Sequence, residues 1–429
     1  MLLQFTVSNY RSFRDPATLS LVATREKSRD SSLDDRNTFV HENGPRLLRT
    51  AAIYGANASG KSNLVAALSY LRRFVIGSAS EFQADYPTGV EPFLLSDVTN
   101  DQPSRFETVF LIDGVQHRYG FEASPSRVIS EWLYRRRTVR EERLFVREDT
   151  TFRMAPAFRK EGKDITERTR RNALFLSVAA QFNGPIASAV VRWFRSVQFL
   201  GAVPSLRDRR RTEELLTTEE RRDEVLRFVS GLDLAIRDVI VEPAPLPDEA
   251  LGSDMASLRR RAVYTRTRPT SVKTVHRKYD HDGLPSSTQV FDLDQHESDG
   301  TRKLLQMTGP ILGVLREGGV LVVDELDARL HHLITRAIID LFDSETTNPK
   351  NAQLVFTTQD VGLLTKERFR RDQVWFTEKD TREATHLISL AEYKVRNDAS
   401  YGKDYLAGRY GGIPFIQGLE EALSDTPER

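Results

Sequence analysis

Ile53-Tyr54-Gly55-Ala56-Asn57-Ala58-Ser59-Gly60-Lys61-Ser62-Asn63 decides how the rest of this chain is read. The stretch matches G-x-x-x-x-G-K-[ST], the phosphate-cradling Walker A loop, or P-loop. Each fixed position has a chemical reason. Gly55 and Gly60 allow backbone turns that aim successive N–H groups at a phosphate. Lys61 brings a positive charge to the β- and γ-phosphates, and the Ser62 hydroxyl is a ligand type for Mg²⁺. Asn57, Ala58, Ser59 and Asn63 complete the set expected to contact a nucleotide.

The surroundings fit. Ala51-Ala52-Ile53-Tyr54 is a short apolar run, expected as a buried strand, and Leu64, Ala67, Leu68 and Leu71 recur at helical spacing. A strand, a glycine-bounded loop and a helix N-terminus together form an anion site. A chance match in a loop would carry neither neighbour.

The second informative stretch is Gly318-Gly319-Val320-Leu321-Val322-Val323-Asp324-Glu325. Four branched apolar residues ending in two carboxylates read as a buried parallel strand with acids at its carboxyl end. Beside a Walker A loop this is a Walker B pair. Asp324 is expected to hold Mg²⁺ opposite Ser62, and Glu325 to orient and deprotonate an attacking water. A strand that simply ends in acids is the plain alternative. Gln353-Leu354-Val355-Phe356-Thr357-Thr358-Gln359 repeats the pattern, and Val374-Trp375-Phe376 does so again, with helices expected over 301–316 and 328–342. The alternation predicts an α/β fold on a doubly wound sheet.

At 429 residues the chain suits one large domain with insertions, or two domains. Its 62 basic residues nearly cancel 61 acidic ones, so overall charge gives no reason to expect nucleic acid. The lack of cysteine excludes disulfides and thiolate metal sites and fits a cytoplasmic protein. The start, Met1 to Val7, turns polar too quickly for a signal peptide, and no apolar run is long enough to span a membrane.

Residues 1–25 read as strands around a turn at Ser8-Asn9-Tyr10-Arg11-Ser12-Phe13, residues 26–48 as a polar loop over the nucleotide, and 80–103 as irregular. From Ser104 the apolar period is two, with a hairpin turn at Asp113-Gly114, so 104–155 is expected as an antiparallel β lobe. Residues 157–235 read as helical; one helix begins at Thr217-Thr218-Glu219-Glu220 and carries Val225, Leu226, Phe228 and Val229 as its apolar stripe. Strands are expected at 236–241, 262–264, 272–275 and 289–291, and loops at 243–247 and 252–257. The expected division is 1–155, 156–285 and 286–429.

Upstream of the acids lies Glu297-Ser298-Asp299-Gly300-Thr301-Arg302-Lys303-Leu304-Leu305. Ser298 and Gly300 opening a helix would aim N–H groups at a phosphate, although an ordinary N-cap at Ser298 explains them equally. His331-His332 could suggest a metal, but adjacent helix positions face different ways. Basic clusters at 135–137, 207–211, 259–261 and 370–371 each read as a solvated face; together they leave contact with nucleic acid or an acidic partner open. No nuclease metal cluster, HNH-like pattern or nucleophile elbow occurs, so no built-in effector is expected.

Taken in this order, the motifs resemble soluble ABC-type ATPases of the SMC, RecF and OLD kind within the AAA family. Among these, the chain is similar to ATPase subunits of bacterial abortive-infection and anti-phage systems of the AbiL, Septu and PARIS type. The residues that carry the likeness are Ser8 to Phe13, the P-loop, Ser298 to Gly300, Asp324-Glu325-Leu326-Asp327 with Leu330-His331, and Tyr405-Leu406-Ala407-Gly408-Arg409-Tyr410-Gly411-Gly412-Ile413-Pro414. They span roughly 1–125 and 285–420. The resemblance implies an ABC-ATPase head, a P-loop NTPase sheet flanked by helices, with an antiparallel β lobe and a helical insertion. It implies ATP and Mg²⁺, with Arg11 approaching the nucleotide. It also implies a homodimer or higher homo-oligomer in which Ser298 and Gly300 of one subunit cap the γ-phosphate held by the other. One departure is visible: the switch strand of such ATPases usually ends in His, and here Gln359-Asp360 follows Thr358. A Gln can donate a hydrogen bond but carries no charge, so slow hydrolysis is expected. For the family's Q-loop glutamine only Gln83 and Gln102 are candidates.

The expected function is an ATP-hydrolysing, dimerising sensor that regulates a separate effector, a nuclease or toxin, in phage defence; the resemblance carries the defence part. The alternative is an SMC- or RecF-like ATPase that clamps DNA in repair or maintenance, which salt-sensitive DNA binding by the protein alone would favour. A transporter nucleotide-binding subunit is a third reading. The long insertion between Walker A and Ser298, and the tail beyond residue 370, count against it.

Overall fold

The computed structural model describes residues 1–28, 30–41, 44–81, 83, 85–202, 206–232, 234–244, 270–395 and 399–414. The chain divides into two compact units: Met1–Phe199 with Val314–Ala328 and Thr335–Arg429, and Leu200–Gly313 with Arg329–Ile334.

The first unit is organised around a six-stranded sheet. In spatial order its strands are Val197–Leu200, Val320–Val323, Gln353–Thr357, Thr50–Gly55, Val374–Lys379 and Thr385–Ser389. The four strands from Val320–Val323 to Val374–Lys379 pair in parallel, and Thr385–Ser389 returns antiparallel. Burial on both faces explains their uninterrupted apolar runs: Ala51 to Tyr54, Leu321 to Val323 and Leu354 to Phe356 are all buried. The register pairs Val323 with Phe356 and Thr357 with Ile53, so the carboxyl ends of the acid-bearing strand, its neighbour and the P-loop strand lie side by side. The strand Val197–Leu200 is a departure from the helical reading of 157–235. It follows the helix Pro185–Ser196 without a break, and only pairing with the sheet edge distinguishes it.

A second sheet of seven antiparallel strands runs in the order Thr151–Met154, Glu142–Glu148, Val128–Arg136, Val115–Ala123, Ser104–Ile112, Leu2–Ser8 and Ala17–Ser20. The expected hairpin turns at Asp113 and Gly114, with φ of 47° and 73°, the positive pair a two-residue turn needs. The helix Lys61–Gly77 shares one core with both sheets. Its Tyr70 and Phe74 stack at 5.5 Å, and Phe74 meets Phe121 of the antiparallel sheet at 5.3 Å. The helices from Pro156–Gly162 to Pro185–Ser196 join this core through Phe158, Phe175 and Phe194. Fully buried Glu131 accepts N–H bonds from Phe175 (2.6 Å) and Leu176 (2.9 Å) at the start of the helix Phe175–Gln181.

The polar stretch 26–48 is not a loop over the nucleotide. It holds the helix Ser31–Asn37, capped by Asp30, and the strand pair Thr38–Val40 and Arg46–Leu48. It sits at the amino ends of the parallel strands, opposite the P-loop: Asn37 Nδ2 donates to Gln373 Oε1 at 2.7 Å, and Gln373 Nε2 to Thr50 Oγ1 at 2.6 Å. Its polar residues serve buried bonds such as Arg370 to Asp34.

The second unit contains the helices Leu206–Leu215 and Glu219–Gly231 and the sheet Asp238–Pro243, Thr270–Tyr279, Pro285–Asp292. The stripe Val225, Leu226, Phe228 and Val229 packs into its core as expected. The strand expected at 262–264, the loop at 252–257, most of 243–247 and Arg259-Arg260-Arg261 lie outside the described residues. Among the described residues no helix is long and apolar enough to cross a membrane.

Candidate nucleotide-binding site

Between the strand Thr50–Gly55 and the helix Lys61–Gly77, the chain makes a tight loop with room for almost no side chain. A Cβ on Gly55 would stand 2.5 Å from Ser59 Oγ and 2.7 Å from Thr377 O. Gly60, at φ of 112°, caps the helix; a Cβ there would fall 2.6 Å from the Thr385 methyl. No side chain caps this helix, so its first-turn N–H groups remain available to an anion. Lys61 is buried, and its Nζ donates to Gly55 O (2.6 Å) and Ala56 O (2.9 Å). Burial lowers its pKa, while Glu325, Asp324 and Asp327 pull it back up. Ser62 is exposed at the second helical position.

Hydroxyl groups brace the loop from the neighbouring strands. Ser59 Oγ meets Thr377 Oγ1 at 2.6 Å. Thr385 Oγ1 donates to Ser59 O at 2.9 Å and lies 2.8 Å from Ser12 Oγ, which accepts from Asn63 Nδ2 at 2.8 Å. The tail also reaches the site. Tyr405 Oη donates to Gly412 O at 2.9 Å, and a Cβ on Gly412 would be 3.4 Å from Gly55 Cα.

Asp324 and Glu325 follow the strand Val320–Val323 directly. One buried hydroxyl fixes both: Thr357 Oγ1 donates to Asp324 Oδ1 at 2.7 Å and accepts the Glu325 N–H at 2.7 Å. Glu325 has φ of 52°, a left-handed conformation that non-glycine residues hold only when their surroundings enforce it. Gln359 leaves the end of the neighbouring strand and donates from Nε2 to Asn57 Oδ1 at 2.8 Å; its N–H goes to Asp327 Oδ2 at 3.2 Å. The switch-strand glutamine is thus joined to the P-loop itself.

Arg11 is engaged elsewhere. Its Nε and Nη2 bond both oxygens of Glu91 at 3.0 and 3.1 Å. Its neighbour Ser12 makes the bonds to Asn63 and Thr385. Ser298 and Gly300 belong to the second unit. Ser298 Oγ accepts from Thr301 N at 3.1 Å at the head of the helix Asp299–Glu317, and a Cβ on Gly300 would fall 2.7 Å from Arg329 O. Asp299 pairs with Arg329 at 2.9 Å. The sequence assigns Ser12, Thr357, Thr377 and Thr385 no role of their own, because a lone hydroxyl beside an apolar strand or in a turn carries no motif.

The residues present fit a triphosphate with a hard cation: a cradle that any Cβ would fill, outward N–H groups, one lysine, and a serine and an aspartate of the donor type magnesium prefers. No group of three or more His, Asp or Glu able to hold a metal on its own exists among the described residues, His331 and His332 included. In two of the basic clusters one arginine is buried: Arg209 bonds Glu213 and Asp294, and Arg370 bonds Asp34 and Asp372.

Residues 51–365 match the family model described as "AAA domain, putative AbiEii toxin, Type IV TA system". The chain belongs to this family. Among 82 matching chains of known structure is the SMC head domain from Thermotoga maritima, at 14% identity and a TM-score of 0.39, covering 90% of this chain and 98% of that one. No curated protein matches the chain. The match to this AAA-domain family takes in the whole P-loop and both acids, while Arg11 and the tail lie outside it.

Proposed function

We propose that the chain hydrolyses ATP, closes as a homodimer around it, and thereby controls a separate effector in bacterial phage defence. The single observation that carries the ATPase part is Thr357. Its hydroxyl, on the strand next to the one that feeds the P-loop, holds Asp324 and Glu325 together. In this reading Lys61 and the first-turn N–H groups bind the phosphates, and Ser62 and Asp324 hold Mg²⁺. Magnesium, when bound, neutralises charge on the phosphate oxygens. Glu325 takes the proton of the attacking water. Gln359, linked to Asn57, offers a neutral amide where a histidine would carry charge. Ser298 and Gly300 of each copy face the nucleotide held by the other. The family description, with its toxin and type IV system, supports the defence setting.

The test is Glu325→Gln. The amide keeps the shape of the carboxylate but cannot accept a proton, so ATP should still bind, phosphate release should stop, and an ATP-dependent dimer should accumulate. Light scattering and phosphate release read both. A variant that turns ATP over at the wild-type rate removes Glu325 as the base, and one that stays monomeric at saturating ATP removes the dimer.

A further inference from the structure

Between Arg73 and Arg105 the chain carries no Lys, Arg or His, although 62 Lys and Arg are spread over its 429 residues. The same interval holds five acids: Glu81, Asp85, Glu91, Asp97 and Asp101. It also concentrates exposed apolar surface. Of the twelve large apolar side chains exposed among the described residues, Tyr86, Leu94, Leu95 and Val98 fall here, the last three at 68%, 63% and 74% exposure. Isolated exposed apolar residues need no explanation, but three within the five residues 94–98 of an acid-rich segment mark an interaction site.

The loop that presents them is held firmly. Phe93 is fully buried, and its N–H donates to Asn9 Oδ1 at 3.0 Å. Asn9 Nδ2 donates to Thr99 O and Gln102 O, both at 2.8 Å, and Thr99 N closes a turn on Ser96 O at 3.2 Å. A loop anchored at both ends that still exposes Leu94, Leu95 and Val98 loses little conformational freedom on binding. It is also wired to the nucleotide loop. Arg11 N donates to Glu91 O at 2.8 Å, and the next residue, Ser12, accepts from Asn63 in the first turn of the P-loop helix.

We infer that the exposed Leu94, Leu95 and Val98 dock a separate protein through a surface whose lysines or arginines surround aliphatic side chains. Charge selects this occupant: Asp97 and Asp101 lie exposed within three residues of Val98, with no base of the same segment to pair them. The inference rests on the reading that a separate effector exists, and adds where it binds and with what chemistry.

The test uses a labelled synthetic amphipathic helix of leucine and lysine, followed by fluorescence anisotropy with the full chain. Leu94→Ser/Leu95→Ser/Val98→Ser should weaken binding by about ten-fold or more, and Asp97→Asn/Asp101→Asn should weaken it and flatten its salt dependence. ATP affinity should not change in either variant. Equal binding by the triple serine variant, or equal binding of a leucine–glutamate helix, overturns the inference. So does a change in self-association of the triple variant without peptide, which would make the face a contact between copies. A chain that binds the peptide yet turns over no ATP sinks the ATPase reading and leaves this one standing.

Discussion

Thr357→Val replaces a hydroxyl by a methyl of nearly the same size, in a position with no solvent exposure. Two bonds disappear together. The Asp324 carboxylate loses a donor at 2.7 Å, and the Glu325 N–H loses its acceptor at 2.7 Å. A hydrogen bond to a charged group contributes about 1.5–3 kcal/mol, and a backbone N–H left unpaired costs about 1–3 kcal/mol. Asp324 and Glu325 are only partly buried, so water can replace some of what is lost. The stability loss should therefore be about 2 kcal/mol. The catalytic loss should be larger. Glu325 keeps its left-handed backbone only while its N–H is tied down, and a misplacement of about 1 Å can lower a rate by ~100-fold. Nucleotide affinity should change little, because the bonds of Lys61 to the loop are untouched. Thr357→Ser, which retains the hydroxyl, should remain close to wild type. Steady-state phosphate release, nucleotide titration and thermal unfolding separate the three effects. A Thr357→Val protein with wild-type turnover would refute the claim that this hydroxyl positions the acids.

Lys61→Ala should abolish productive ATP binding without unfolding the chain, since it removes the one lysine of the loop; wild-type affinity in a nucleotide titration would overturn the phosphate-binding assignment. Gln359→Ala should slow hydrolysis and Gln359→His should speed it, each by roughly ten-fold for about 1.4 kcal/mol of transition-state stabilisation; equal rates for all three would place the side chain away from the reacting phosphate. Burial raises the Asp343 carboxyl to about 7, and its Oδ2 has no hydrogen-bond partner. A raised folded-state pKa contributes stability that is full below about 4 and lost as pH rises through about 7. Asp343→Asn should therefore stabilise the chain more at pH 8 than at pH 5, and a pH-independent change in melting temperature would contradict this.

The P-loop, the acid-ended strand and the hairpin at Asp113-Gly114 were legible because each is a local pattern with a local cause: backbone sterics in the first and third, two-sided burial in the second. The strand Val197–Leu200 was not legible, since four residues after a helix carry no period of their own. The stretch 26–48 misled for a different reason. Polarity in a sequence reads as solvent exposure, whereas Asn37, Asp34 and Arg370 are buried and bonded to one another's neighbourhoods across more than 300 residues of sequence. The opening hairpin was half legible: its place beside the nucleotide loop holds through Ser12, while Arg11 turns to Glu91.

What braces the site is a set of neutral hydroxyls, and electrostatics gives a reason. A loop meant for a triphosphate already gathers Lys61, Asp324, Glu325 and Asp327 within mutual electrostatic reach. Further charges placed there would add desolvation penalties and fields that compete with the ligand's own. A serine or threonine can donate and accept at once, as Thr357 does between Asp324 and Glu325, and as Ser12 does between Asn63 and Thr385. Such groups fix geometry without altering the charge that phosphates meet. Gln359 bonded to Asn57 extends the same logic to the switch strand. A neutral amide there keeps strand and loop in register and leaves charge compensation to Lys61. On the proposed function, that combination would favour holding a nucleotide over hydrolysing it quickly.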